Sequence, residues 1–519
     1  MNIDKKWKRF KNDYKYGLFV KHPYEMSIIE YKLDEWLQEL DAKFQNGTFE
    51  VSDMQICEVP KGKGLLRPGS ILKTQDVLFF IHLVSEAFTE IYEHLKWSQG
   101  KVDFSYILNE SGKTEFKWLA NQFQGWEGFR TESIKQIDEG TPYVIITDIT
   151  GYYENIHIMK LFEDLRSAGI DAGIAAQIKK CLDKWSIIQG KGIPQSIGAS
   201  HILGKLYLNG IDLAMSNKGF KMIRYVDDIR IFCNSKTEAK QALMYLSQLM
   251  RERGLNLQSA KTKIHRADEA REIIEGVQKI IQTVESQINS QADVVPLENN
   301  VADLSRDQEV EEEYNNYDGE DLNTLKATFK AYFLDEDTKF DKTLFRYLIN
   351  RIGKSKDRIA LDYCIRNLEK HPQETDTFFK YFMSIDAQED ILTIIFQFME
   401  SEDAIYGYQK YQIISWISAN YESLGDDYKR VIREIANDGN NPNYLISVAR
   451  ESLSKFGNIA DLDELMGKYN TDLSELEKVE ILCSIGKMER TKRNAFYGHR
   501  KSESLINEKT IKWIKENDV

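Results

Sequence analysis

The chain has 519 residues, 42% of them hydrophobic and 29% charged, with a formal net charge of -13. That length is too great for one ordinary domain and predicts two or three cores of a soluble globular protein. No run of about 18 apolar residues occurs, and the first residues, Met1-Asn-Ile-Asp-Lys-Lys-Trp-Lys-Arg, hold no apolar signal core, so the expectation is a cytoplasmic protein without a membrane span.

Five widely spaced cysteines (Cys57, Cys181, Cys233, Cys364, Cys483), none in a Cys-x-x-Cys pattern, read as thiols of a reducing compartment and not as zinc ligands or a disulfide frame. The N-terminus sets Lys5, Lys6, Lys8, Arg9 and Lys11 around Trp7 and Phe10, followed by a helical pattern over Tyr24 to Phe44. Val59 to Gly69 reads as a Gly- and Lys-rich loop carrying Lys61, Lys63 and Arg67 ahead of a long helical pattern from Gln75 to Leu95. A loop presenting basic side chains before a catalytic strand can close over a triphosphate; a plain surface turn is the competing reading.

Tyr143 to Thr147 is an apolar, β-branched run that predicts a buried strand ending at Asp148. Gly151 supplies a turn, and Tyr152, Tyr153 and Ile156 open a helical pattern. The Gly190-Lys-Gly192-Ile-Pro194-Gln195 turn feeds a helix over Ser196 to Ser216. Two short strands, Lys221 to Val226 and Ile229 to Phe232, leave room between them only for Asp227 and Asp228. Adjacent carboxylates among apolar strands are electrostatically costly unless a cation neutralises them. Three carboxylates at neighbouring strand ends suit a pair of Mg²⁺ ions, with Mn²⁺ as a substitute, serving an in-line phosphoryl displacement.

Those pieces, in that order, resemble the boxes of the reverse transcriptase superfamily. Asp148 with Tyr153 five residues on is similar to motif A, and Gly192-Ile-Pro194-Gln195 with Ser200 and Leu206-Tyr207-Leu208 to motif B. Tyr225-Val-Asp227-Asp228 resembles motif C, and Gly254-Leu-Asn-Leu257-Gln-Ser-Ala-Lys261-Thr262-Lys263 motif D. The resemblance covers roughly Cys57 to Ile264. It implies Asp148, Asp227 and Asp228 as catalytic metal ligands, Lys261 as a general acid to the leaving pyrophosphate, and Lys61, Lys63 and Arg67 as triphosphate-binding residues of the fingers. It places Tyr153 at the sugar gate that rejects a ribose 2′-OH and Gln195 near the nascent base pair. The chain departs from the family at Ser196, where a Gly usually follows Pro-Gln, and at His201, where many relatives have Pro.

Beyond Ile264 the pattern changes. Arg266 to Gln287 reads as a helix, and Ser290 to Asp321 as an acidic linker, with nine carboxylates against Arg306 alone between Ala302 and Asp321. From Leu322 onward one amphipathic helix follows another, which suggests an array resembling HEAT repeats. A basic cluster near the end, Lys487, Arg490, Lys492, Arg493, Arg500 and Lys501, could hold nucleic acid, as could the N-terminal one; a solvated face is the alternative for both.

The predicted fold is therefore an α+β fingers-palm polymerase with a ferredoxin-like palm, followed by an all-α HEAT-like domain. The expected division is 1–56 N-terminal segment, 57–265 fingers and palm, 266–321 helix and acidic linker, and 322–519 helical repeats. A fingers-palm unit running straight into helical repeats resembles the abortive-infection (Abi) and related unknown-group reverse transcriptases of bacterial anti-phage defence. That resemblance implies dNTP polymerisation into single-stranded DNA, without a conventional template and primed from a protein tyrosine, or guided by a partner noncoding RNA, in a trimer or hexamer. Tyr314, Tyr317, Tyr406, Tyr408 and Tyr497 stand in polar or basic surroundings. Two alternatives are an RNA-templated reverse transcriptase of a mobile element or retron-like system, and an inactive palm serving as a nucleic-acid-binding scaffold.

Overall fold

The computed structural model describes residues 3–31, 33–290, 321–334, 340–470, 473, 475–503 and 505–517. In chain order its first helices are α1 (Ile3–Tyr16), α2 (Pro23–Tyr31) and α3 (Leu33–Gln45). Strands β1 (Gln55–Lys61) and β2 (Leu65–Ile71) follow, then α4 (Thr74–Glu86), α5 (Phe88–Leu95) and α6 (Gln122–Asp138). Next come β3 (Tyr143–Asp148), α7 (Tyr152–Asn155), α8 (Ile158–Ser167), α9 (Ala172–Trp185) and α10 (Gly198–Asn217). The series closes with β4 (Lys221–Tyr225), β5 (Asp228–Cys233), α11 (Lys236–Glu252), β6 (Lys263–Arg266), α12 (Ala267–Glu275) and α13 (Val277–Asn289). The described residues after 320 are helices and turns.

Two compact units divide the chain. The first comprises 1–19, 48–55 and 70–352, the second 20–47, 56–69 and 353–519. The first is built on a four-stranded antiparallel sheet of order β4-β5-β3-β6. Side chains alternate between faces along each strand. Val144, Ile223, Tyr225 and Phe232 join Phe104, Trp126, Phe129, Ile137 and Ile274 in one core beside α6 and α12. Helices α10 and α11 cover the opposite face. Burying both faces explains why β3 and β5 read as continuous apolar runs.

Helix α1 belongs to this unit, and it corrects the reading of the basic N-terminus. Lys6 and Arg9 are buried, not displayed. Lys6 Nζ meets His82 Nδ1 at 2.5 Å, and Arg9 donates to the carbonyls of Gly112 (2.7 Å), Glu115 (2.8 Å) and Phe116 (2.9 Å) while stacking on Trp118. Satisfied this way, two of the five cations are part of the core.

Three further expectations change. Val59 to Gly69 is no loop: all but 62–64 lies in the β1–β2 hairpin, where Cys57 and Val59 alternate inward and Lys63 and Gly64 turn the chain at φ 67° and 71°. The Gln75 to Leu95 helix breaks at Ala87 into α4 and α5. The Arg266 to Gln287 helix breaks at Gly276, whose φ of 52° no helix continues. The acidic stretch 291–320 lies outside the described residues.

In the second unit the hairpin docks on helices. Cys57 and Arg67 are electrostatically coupled to the buried Tyr408, and Cys57 and Glu58 to Tyr444. Segment 20–47 is tied in through Lys21 N–H to Tyr411 Oη (2.9 Å) and Tyr24 Oη to Ser454 Oγ (3.0 Å). Helix Arg490–Arg500, read from the sequence only as a charge cluster, turns part of its charge to structural use. Arg493 donates to the Gly486 carbonyl, and Arg500 stacks 4.4 Å from Phe496.

Candidate active site

The site begins where β3 and β5 end side by side. Asp148 and Asp228 are register partners, and Ile149 N–H donates to the Asp227 carbonyl at 3.1 Å. That bond makes 149/227 a hydrogen-bonded pair, so 148/228 is a non-hydrogen-bonded one, whose Cα atoms in such ladders stand roughly 4.5 Å apart with side chains on one face. Like charges so placed repel unless a cation lies between them. Tyr225 pairs with Asp228, which leaves Val226 and Asp227 as the two-residue turn of the β4–β5 hairpin. Val226 takes φ 55° there, a left-handed angle that a β-branched residue adopts only under constraint.

Residues 256–262 run along the end of β3. Thr150 N–H bonds the Asn256 carbonyl (2.9 Å), Gln258 N–H the Asp148 carbonyl (2.7 Å), and Thr262 Oγ1 meets Thr147 Oγ1 at 2.7 Å. This lacing brings Lys261 Nζ to 2.5 Å from Asp148 Oδ2. Asp148 Oδ1 is buried without a hydrogen-bond partner. Asp148, with its orphaned Oδ1, and its register partner Asp228 offer carboxylate oxygens of the kind Mg²⁺ takes, so these residues fit a divalent metal. Among the described residues no three His, Cys, Asp or Glu side chains gather around one point. The Lys261 ammonium places a positive charge at Asp148.

The second wall is the turn before α10. Gly192 N–H donates to the Ile156 carbonyl (2.9 Å) and Ile193 N–H to that of Tyr153 (3.0 Å), so the Gly-Ile-Pro-Gln turn is seated on α7. Gln195 N–H bonds Ser70 Oγ at 3.1 Å. Ser196 sits at φ 63°, the backbone angle for which a glycine would be the unstrained choice. It is braced by α1: Gly198 N–H bonds Asp13 Oδ2 at 3.1 Å, and a Cβ on Gly17 would fall 2.1 Å from the Ser196 carbonyl oxygen. Burial pushes the Asp13 carboxyl up to about 7 against the pull of the Gly198 amide and Arg9.

Asp148, Asp227, Asp228, Lys261, Tyr153 and Gln195 thus lie in the first unit, linked by the contacts above. Lys61, Lys63 and Arg67 lie in the second, on the hairpin, with both lysines exposed. Tyr152 packs inward and donates to the Gly204 carbonyl at 2.5 Å.

Sequence reasoning missed a buried ionic network behind the site. Arg224, next to Tyr225, donates to Asp212 Oδ1 (2.9 Å) and Asp103 Oδ2 (2.8 Å), and Lys205 Nζ donates to Asp103 Oδ2 and to the Ser105 carbonyl, each at 2.5 Å. All four charges are nearly inaccessible. Although burial alone would lower the Arg224 pKa, Asp103 and Asp212 raise it. The signal was present on α10, where polar His201, Lys205, Asn209 and Asp212 recur at helical spacing in an apolar run.

Residues 106–291 match the reverse transcriptase (RNA-dependent DNA polymerase) family. This segment is similar to reverse transcriptase domains. The family's activity is RNA-directed DNA synthesis, a nucleotidyl transfer. No curated protein matches the chain. Among solved structures, it is similar to apo telomerase from Candida tropicalis truncated from its C-terminal domain, at 13% identity and a TM-score of 0.31, over 44% of this chain and 54% of that one. Telomerase from Candida albicans in complex with a TWJ fragment of telomeric RNA aligns at 9% identity and a TM-score of 0.32, over 84% and 68%. An RdRp complex aligns at 10% and 0.29, over 93% and 43%. The chain spans about half the length of the first of these. The matched segment takes in Asp148, Asp227 and Asp228, and it ends before residues 353–519 of the second unit.

Proposed function

We propose that the protein is a metal-dependent DNA polymerase of the reverse transcriptase type that acts in bacterial anti-phage defence by abortive infection. The observation that carries the polymerase reading is the pairing of Asp148 with Asp228 across β3 and β5, with Asp227 in the adjoining turn and one Asp148 oxygen buried without a hydrogen-bond partner. In this reading the three carboxylates hold divalent metal ions, which when bound stabilise the attacking and leaving oxygens of an in-line displacement. Lys261, already at Asp148, protonates the departing pyrophosphate. The resemblance assigns Tyr153 to the 2′ position of a dNTP, Gln195 to the nascent pair, and Lys61, Lys63 and Arg67 to the triphosphate.

The defence reading rests on the resemblance: a reverse transcriptase domain continuing into a helical unit, read as a HEAT-like array. It carries with it single-stranded DNA made without a conventional template, primed from a tyrosine or guided by a noncoding RNA, in a trimer or hexamer. A priming hydroxyl has to be accessible. Tyr408 and Tyr497 are buried, and Tyr497 Oη bonds the Leu482 carbonyl at 2.7 Å, whereas Tyr406 is half-exposed. Tyr314 and Tyr317 lie outside the described residues.

The deciding experiment is dNTP incorporation by the purified protein with Mg²⁺, with and without added nucleic acid, beside Asp227→Ala/Asp228→Ala. Template-free product that stays on protein until proteinase treatment supports the reading in full. Product made only on an RNA template, and free of protein, moves the enzyme to the mobile-element or partner-RNA class. Incorporation equal to that of the double variant overturns the polymerase reading and leaves a nucleic-acid-binding scaffold.

A further inference from the structure

Tyr153 is not held by packing alone. Its hydroxyl lies 2.6 Å from His201 Nδ1, on the first turn of α10. On the other side of the imidazole, Tyr106 stacks nearly parallel, with ring centroids 3.8 Å apart and planes 9° from each other. Burial pushes the His201 pKa down to about 3. A neutral imidazole with its proton on Nε2 leaves Nδ1 as the acceptor, so the Tyr153 hydroxyl donates. Gly204 lies beside both tyrosine rings, where a Cβ would sit 3.4 Å from Tyr152 and Tyr153, at ordinary contact distance.

The stack is anchored from below. Tyr106 takes φ 40°, a strained angle for an aromatic residue. Two bonds impose it: Tyr106 N–H donates to Gln122 Oε1 at 2.8 Å, and the preceding Ser105 carbonyl accepts from Lys205 Nζ at 2.5 Å. Lys205, one helical turn beyond His201, shares Asp103 with Arg224. Arg224 in turn is the residue before Tyr225-Val-Asp227-Asp228. One buried network therefore reaches both the carboxylate turn and the backbone that sets the stack.

We propose that His201 and Tyr106 are positioning residues that fix the Tyr153 ring against the 2′ side of an incoming nucleotide, so that selection of deoxyribonucleotides depends on a hydrogen-bonded ring stack and not on the bulk of Tyr153 alone. The proposal rests on the polymerase reading of the site. A bare ring can tilt away from a 2′-OH, whereas a ring with its hydroxyl pinned to a stacked imidazole turns that contact into a clash. Losing one hydrogen bond of ordinary strength then weakens selection by about threefold to tenfold.

The test compares kcat/KM for dTTP and UTP on a poly(rA)–oligo(dT) substrate, using the full chain and the variants Tyr153→Phe, His201→Phe and Tyr106→Ala. The dTTP preference is expected to fall about threefold to tenfold in each, through a lower KM for UTP, and to fall no further when Tyr153→Phe and His201→Phe are combined. A preference within twofold of wild type in both Tyr153→Phe and His201→Phe, or a loss confined to kcat for both nucleotides alike, overturns the proposal. Tyr153→Phe removes a single oxygen and keeps the test open if His201→Phe does not fold. Calorimetric binding of dTTP and UTP in Ca²⁺ separates this proposal from its premise. If no protein incorporates nucleotide, the polymerase reading fails, while a dTTP binding preference that Tyr153→Phe and His201→Phe abolish still supports the stack. Equal binding of dTTP and UTP by the wild type overturns it.

Discussion

Lys261 is the residue on which the charge balance of the site turns. Its ammonium lies 2.5 Å from Asp148 Oδ2, in a segment laced to β3 by the Gln258 and Thr262 bonds. In the proposed reading Lys261 would serve as the acid to the leaving pyrophosphate. Lys261→Ala is expected to lower kcat by about 10²–10⁴-fold with a small change in KM. An unchanged kcat in rapid-mix kinetics would assign Lys261 to charge balance only. The same logic makes His201 legible in retrospect. In the sequence it stood out as a departure from a proline, but a stacking partner 95 residues upstream, Tyr106, leaves no local trace.

At the level of elements, what the sequence discloses is what repeats locally. The β-branched run to Asp148 and the alternating strands around Asp227-Asp228 gave β3, β4 and β5 within a residue or two, because burial of both sheet faces writes itself into the pattern. The β1–β2 hairpin was hidden because its Gly and Lys residues speak for a loop, while its inward side chains, Cys57 and Val59, are too few to show a period. Lys6 and Arg9 were hidden for a related reason: a charge satisfied by a histidine 76 residues away, or by carbonyls more than 100 residues away, looks like a solvated one. The contact between α1 and the turn before α10 is a third case, and it is measurable. Gly17→Ala sets a Cβ 2.1 Å from a backbone oxygen and is expected to cost about 2 kcal/mol or more. Ser196→Gly, relieving φ 63°, is expected to stabilise by roughly 1 kcal/mol. Urea unfolding of both variants, with Gly17→Ala at least as stable as wild type, would show that α1 does not brace the turn.

On the scale of the whole molecule, the helical unit carries an unusual acid load. Glu480 is buried with Oε2 unpartnered, Ser447 Oγ bonded to Oε1 and His22 Nδ1 3.7 Å away. Burial pushes its pKa up to about 8 and that of Glu451 to about 7, while burial lowers His22 to about 4. A carboxyl raised in the folded state contributes fully below its unfolded value near 4.5, and that contribution is lost as pH rises through the folded value. The lowered His22 works the other way, costing stability as pH falls from 6.5 toward 4. Glu480→Gln keeps the oxygen that Ser447 needs, and its Tm advantage over wild type is expected to widen between pH 5 and pH 8, by roughly 2–4 °C for each kcal/mol removed. Parallel melting curves would refute this. The interleaving of the units has a different outcome. The chain crosses between them five times, after Phe19, Gly47, Gln55, Gly69 and Ile352. A cut at residue 352 would therefore not trim an appendage; it would strand 20–47 and the hairpin bearing Lys61, Lys63 and Arg67 without the helices they pack on. A single crossover between genes could therefore not exchange one unit whole for another.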